Sequence, residues 1–203
     1  MTRFRPLLLA AGLALAGVTH AVSSDPWTAS IEYEAKNDFA GAAKVLQPYV
    51  KMTQPDEFAL LRTGWLAWRA GNYNDAYYAY QAALRLNSAS IDARLGLSLP
   101  LMAQQRWSAA EQALRDVLQI DPLNYTANTR LMAVLEGEQQ WSDLLRLARG
   151  FQRRYPSDAT TLVYLARASA ALGQTAAARD AWQRVLQRYP GHGEAVERLK
   201  EYR

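Results

Sequence analysis

"RRYP" at Arg153–Pro156 returns thirty-four residues later as "QRYP" at Gln187–Pro190. The same interval carried back from Pro190 meets Pro156, Pro122 and then Ser88. Other columns keep the period. One reads Ala42, Ala76, Ala110, Leu144, Ala178; another Leu46, Tyr80, Leu114, Ala148, Trp182; a third Tyr49, Ala83, Val117, Phe151, Val185. Five blocks of thirty-four residues, 23–56, 57–90, 91–124, 125–158 and 159–192, follow one another without insertion and leave 193–203 as a tail. A period of this length marks a stack of supersecondary units, in which residues of one column share one environment.

Each block reads as two helices. Apolar residues recur at three- and four-residue steps (Ala76, Tyr80, Ala83, Leu84), as on one face of a helix. Asp56, Ser90, Asn124 and Asp158 precede the first helix of their blocks, where a side-chain oxygen can accept from free backbone amides. "SAAE" (Ser108–Glu111) predicts a capping box at the second helix of the third block. Gly71 and Gly173 stand at the turn inside a pair, where a positive φ costs glycine least. Pro122, Pro156 and Pro190 stop the second helices.

The period, the alternation of small and large residues and the closing proline resemble the tetratricopeptide repeat (TPR) family. In the second block the matching residues are Leu60, Gly64, Ala67, Ala76, Tyr80 and Ala83, with Ser88 where proline is usual. The first block departs most, with Gln54 in the proline column and Pro55 one residue late. The fourth carries Met132 and Leu144 at usually small positions. The resemblance implies an all-α fold: a right-handed α-solenoid of five helix pairs over 22–192. A capping helix over 193–203 would put Ala195, Val196 and Leu199 inward.

The N-terminus predicts a secretory signal peptide over residues 1–21. Arg3 and Arg5 precede the twelve-residue apolar run Leu7–Val18, and "THA" (Thr19–Ala21) offers small residues for cleavage. An uncleaved anchor is the rival reading, but twelve residues span roughly 18 Å of helix against a hydrocarbon core of ~30 Å. With no cysteine there is no thiol to lipidate and no disulfide, so the expected mature chain is periplasmic, without an integral membrane segment, and held by packing alone. Loss of Arg3 and Arg5 lowers the net charge from +4 to +2, which leaves only weak support for nucleic-acid binding, and none is expected.

Catalytic chemistry is sparse. Beyond residue 21 the one histidine, His192, sits in the turn "PGHGE", and no phosphate loop, metal motif or nucleophile elbow occurs. The expectation is a non-enzyme with no cofactor and no metal.

"GWLAWRAGNYNDAYYAY" (Gly64–Tyr80) holds two tryptophans and four tyrosines. The period sorts them. Phe39, Tyr73, Trp107 and Trp141 share a column read as core; Tyr80 and Trp182 share another; Tyr77 is expected between blocks and Tyr78 outward. Trp27, Trp65 and Trp68 follow no such column. The TPR resemblance implies that the first helix of each pair lines a concave groove. It thereby assigns the groove Trp27, Ile31, Phe58, Leu61, Trp65, Trp68, Leu95, Leu99 and Met102, with Arg69 beside them. Rings of ~150–250 Å² each would rival the largest apolar patch of an ordinary monomer. The last two blocks offer a smaller, more polar lining (Thr129, Ala133, Glu136, Gly137, Val163, Arg167). Pro100 is expected to kink its helix and widen the groove beside Leu99. Trp27, Ile31 and Leu61 occupy columns where TPR proteins that grip acidic tails place a Lys/Asn clamp, so no such clamp is expected.

The functional expectation is a cell-envelope scaffold that binds an apolar peptide or helix of a partner protein. The resemblance also admits envelope assembly, polysaccharide export and cytochrome maturation. A homo-oligomer whose groove is closed by its own copy is the alternative, as is internal burial of the patch. N-terminal sequencing of the exported protein should begin at Val22; a chain that retains Met1 contradicts the cleavage.

Overall fold

The computed structural model describes residues 25–202; the expected signal peptide, residues 1–21, lies outside them. Twelve helices follow in order: α1 (Pro26–Ala35), α2 (Phe39–Lys44), α3 (Gln47–Val50), α4 (Glu57–Arg69), α5 (Tyr73–Leu86), α6 (Ile91–Ala103), α7 (Trp107–Ile120), α8 (Tyr125–Gly137), α9 (Trp141–Arg154), α10 (Ala159–Ala171), α11 (Thr175–Arg188) and α12 (Gly193–Glu201). From α4 to α11 they form four clean pairs, with α12 packed on α11 at the end.

The first pair departs from the five-pair expectation. Its second helix is split into α2 and α3, with Pro48 in the first turn of α3. Proline has no N–H for the Lys44 carbonyl and its ring crowds that position, so the helix breaks here.

Cap chemistry sets the starts of the first helices. Asp56, Ser90, Asn124 and Asp158 accept from the amides of Ala59, Ala93, Ala127 and Thr161 at 2.8, 3.2, 3.0 and 2.7 Å. His192 does the same for α12, accepting from Ala195 N–H through Nδ1 at 3.3 Å. It lies thirty-four residues after Asp158, so the loop reading of this histidine gives way to a cap in register.

The second helices begin differently. Asn37, Gly71, Gln105, Gln139 and Gly173 all adopt positive φ, 59°, 79°, 55°, 57° and 70°. After α6, Gln105 N–H bonds the Met102 carbonyl and Arg106 N–H the Leu101 carbonyl, at 3.0 and 2.8 Å, a Schellman closure. The turn leads directly into α7, whose N-cap is Arg106 with no side-chain bond. Ser108 is therefore inside the helix, and the capping box expected at Ser108–Glu111 does not form.

Packing repeats with the columns. Ala42, Ala76, Ala110, Leu144 and Ala178 are fully buried, and so nearly are Leu46, Tyr80, Leu114, Ala148 and Trp182. Tyr80 of α5 lies between α4 and α6. A Cβ on Gly64 would come within 2.9 Å of its ring and one on Gly96 within 2.1 Å. Gly137 gives way in the same sense to Trp107, at 2.9 Å. The Phe39, Tyr73, Trp107, Trp141 column is half-buried, and all but Tyr73 pack against buried clusters. Tyr78 points out, 66% exposed, and Tyr77 lies under the Arg106 guanidinium, 4.9 Å from its centroid.

First helices pack directly on one another, α4 with α6, α6 with α8 and α8 with α10, while successive second helices make no comparable contact. The first helices thus form the inner layer and the second helices splay outward. α6 runs unbroken through the buried Pro100. Its missing N–H leaves the Gly96 carbonyl without its helical donor while the helix continues to Ala103.

Gln105 is exposed and bears a left-handed conformation without the freedom of glycine. Gln105→Gly should stabilise the chain by about 1 kcal/mol, and Gly96→Ala should destabilise it by roughly 1–3 kcal/mol through overpacking against Tyr80. Urea unfolding reads both; opposite signs would contradict this packing.

Candidate protein-binding surface

The inner face is built from the residues the period left variable, and the structure sorts them by exposure. Ile31 and Phe58 are each 59% exposed. Trp27 is half-buried, with its ring 5.2 Å from both Phe58 and Tyr49. Together α1 and α4 present an aromatic and aliphatic surface at the N-terminal end.

Trp65 and Trp68 are half-buried and stand 5.1 Å apart in a tilted stack. Trp65 donates its indole N–H to Glu34 at 2.7 Å. The same carboxylate meets Arg62 at 2.9 Å and Arg69 at 3.5 Å. Arg69 in turn lies over the rings of Phe39 and Trp65, 5.1 and 5.6 Å from their centroids. Arg62 also donates to Ser30 Oγ at 2.8 Å. Much of the Trp65 and Arg69 surface is therefore spent joining α4 to α1. Trp68, Leu61, Leu95 and Met102 pack their inner sides against the main core, and Leu99 is half-buried beside them.

These polar stitches recur in register. Glu136 and Arg167 stand in the columns of Glu34 and Trp65. Arg167 Nη1 reaches Glu136 at 3.1 Å and its Nε reaches Glu194 at 2.9 Å, tying α8, α10 and α12 together. Arg130 repeats the Arg62–Ser30 contact, with Nη1 3.2 Å from Ser98 Oγ and donating to the Leu95 carbonyl at 2.5 Å. Burial pushes the nearby Tyr80 phenol up to about 12, partly opposed by Arg130. The inner face thus carries ionic stitches from α1 to α4 and from α8 to α12, and is apolar at Ile31 and Phe58 and through Trp68, Leu99 and Met102.

Sequence reasoning found the variable columns but missed Ser30, Glu34 and Arg62. The signal available was the thirty-four-residue equivalence of Glu34 with Glu136. Among the described residues no group of His, Cys, Asp and Glu could hold a metal ion, and no helix is long and apolar enough to cross a membrane.

The hydrogen bond from Arg167 holds the Glu194 carboxyl below its ordinary value. A depressed folded value means that this docking contribution is present at neutral pH, is complete above the unfolded carboxylate value, and is lost as pH falls through the folded one. Protection of the α12 amides, taken relative to the intrinsic exchange rate at each pH, should therefore fall in acid, and Arg167→Gln should lower it already at pH 7. Unchanged exchange in that variant would mean the stitch does not hold α12.

One family model described as tetratricopeptide repeat matches residues 67–135, and a second with that description matches residues 160–192. No curated protein sequence matches. Among solved structures, MamA from Desulfovibrio magneticus RS-1 superposes with a TM-score of 0.73 at 15% identity, covering 81% of this chain and 93% of that one. A thermophilic TPR protein of Thermus thermophilus gives 0.63 at 14% identity, with coverage of 87% and 96%. A tetratricopeptide repeat protein from Parabacteroides merdae gives 0.76 at 14%, with 85% and 69%. At such identities the likeness is one of fold. The matched repeats, the shared register and the paired helices make this chain a member of the tetratricopeptide repeat family.

Proposed function

We propose that this TPR solenoid is a non-enzymatic scaffold of the bacterial cell envelope. It is exported to the periplasm and holds an apolar peptide or helix of a partner protein on its inner face. The TPR fold supports protein–protein interaction in general. The observation that carries the finer reading is the pair of large apolar side chains left open on the inner helices, Ile31 and Phe58, with Trp27 behind them. Aromatic anchors of this kind, flanked by half-buried rings, are the usual energetic centres of interfaces.

The ionic stitch of Glu136, Arg167 and Glu194 occupies the C-terminal end of the same face. Binding is therefore centred on Ile31, Phe58, Trp27 and Trp68, and extends towards Leu61, Leu95, Leu99 and Met102. Trp65 and Arg69 support the surface and supply less of it.

A second reading draws on the ends of the stack. α12 carries a charged outer face with Glu197, Arg198, Lys200 and Glu201, whereas α1 leaves Ile31 and Tyr33 exposed, 59% and 40%. Among the described residues, this contrast between the two ends also suits association with a second copy.

Ile31→Ala with Phe58→Ala tests the leading reading, because both side chains are open and their loss leaves the core intact. Capture of the partner from envelope extract should fall by about tenfold or more, as for hot-spot residues. Unchanged capture by a folded variant contradicts the inner-face site. Sedimentation that shifts with concentration in wild type, and not in the variant, would instead favour self-association.

A further inference from the structure

The splayed second helices leave two cavities on the outer face, one repeat apart. The first, about 350 Å³, lies between α5 and α7 above α6. The second, about 360 Å³, lies between α7 and α9 above α8. They are the same feature shifted by thirty-four residues: Leu97 and Leu101 of the first correspond to Leu131 and Leu135 of the second, and Gln81 and Gln112 correspond to Arg115 and Arg146. The repeat makes the cavity, and the individual residues decide its chemistry.

In the first cavity the charges are engaged internally. Arg94 lies 3.8 Å from Asp116, and Arg106 covers the Tyr77 ring. The second keeps one arginine without such a partner among the described residues. Its floor is apolar, with Leu131 and Leu135 almost fully buried and Phe151 at 6% exposure. Its rim carries Arg115, Arg146 and Arg154 against the single carboxylate Asp143. Arg146 pairs with Asp143, and Arg115 pairs with Glu111 at 2.5 Å. Arg154 makes no ion pair or hydrogen bond with the described residues, and its counterpart one repeat earlier is the apolar Ile120. Arg149 and Arg153 add to the charge on the exposed side of α9.

We propose that the cavity between α7 and α9 is a second docking site, taking a protein segment that carries a large apolar side chain flanked by carboxylates. The volume is at the lower end of ligand-sized pockets and suits one or two side chains. Guanidinium forks around an apolar recess suit carboxylates on either side of an inserted residue. A lipid surface is disfavoured because membrane contact needs projecting apolar side chains, and Leu131, Leu135 and Phe151 are recessed. A nucleic-acid backbone would engage the arginines but leave the leucine floor unused.

Panning a random twelve-residue peptide library against the purified protein tests this site. Affinities of the enriched peptides are then measured by fluorescence anisotropy. Wild type is compared with Arg115→Gln/Arg146→Gln/Arg154→Gln and with Ile31→Ala/Phe58→Ala. Glutamine at 115 and 146 restores what the preceding repeat carries at Gln81 and Gln112, so the fold is expected to tolerate it. Should the triple variant fail to fold, Arg154→Gln alone at its exposed position reads the same effect with the same sign. The expected result is enrichment of peptides with Asp or Glu on both sides of a large apolar residue. Their binding should weaken about tenfold or more in the arginine variant, by about 1.4 kcal/mol per tenfold, and stay unchanged in the inner-face variant. An enriched set in which no peptide sensitive to the arginine variant carries acidic residues would overturn the proposal. So would equal binding to the arginine variant, or binding to phosphatidylglycerol vesicles with no peptide enriched.

Discussion

The ring of Tyr80 fills space that a Cβ on Gly64 or on Gly96 would claim, and the junction between the second and third repeats depends on that interlock. One large side chain from a second helix enters between two successive first helices that carry no side chain at that point. The first helices can then approach each other while the second helices are held apart. Curvature, an inner face and an outer face all follow from that inequality. Because each repeat packs mainly on its neighbours, stability accumulates along the stack, and enlarging Gly96 loosens the junction at Tyr80 before it affects the others.

The period made the core legible. A residue such as Ala110 or Leu114 is buried because its whole column is buried, and no propensity scale was needed to see it. Cap residues were legible for the same reason, and His192 could have joined Asp158 had its column been weighed above its residue type. Pro48 was readable in principle, since a proline inside a helical pattern breaks it whatever the column says. Exposure on the inner face was harder. Trp65 and Phe58 look alike as variable aromatic positions, but Glu34, thirty-one residues before Trp65, accepts a hydrogen bond from its indole N–H and holds it down. Such long-range polar partners are set by the superhelix. The outer cavities were hidden for a related reason: each is a gap between helices, and its lining comes from three of them.

The inner face emerges as graded. Ionic stitches hold α1 to α4 and α8 to α10 and α12, so charge is consumed near both ends in fixing one helix to the next. Between and beside them lie surfaces with no such internal use: Ile31 and Phe58 at the N-terminal end, and Trp68, Leu99 and Met102 further in. Arg154 on the outer face is likewise without an internal partner among the described residues. A scaffold with an apolar inner surface and a cationic outer recess could hold two partners at once, because the faces are separated by the thickness of a helix pair.

Site-directed photo-crosslinking in the producing cell tests most directly whether the N-terminal end of the inner face holds a partner. A benzophenone amino acid replaces Phe58 on the inner face in one chain and Tyr78 on the outer face in another, both positions being well exposed. The account predicts a discrete crosslinked product at position 58 and none of comparable yield at 78. Equal yields at both positions, or a product at 78 alone, would contradict it.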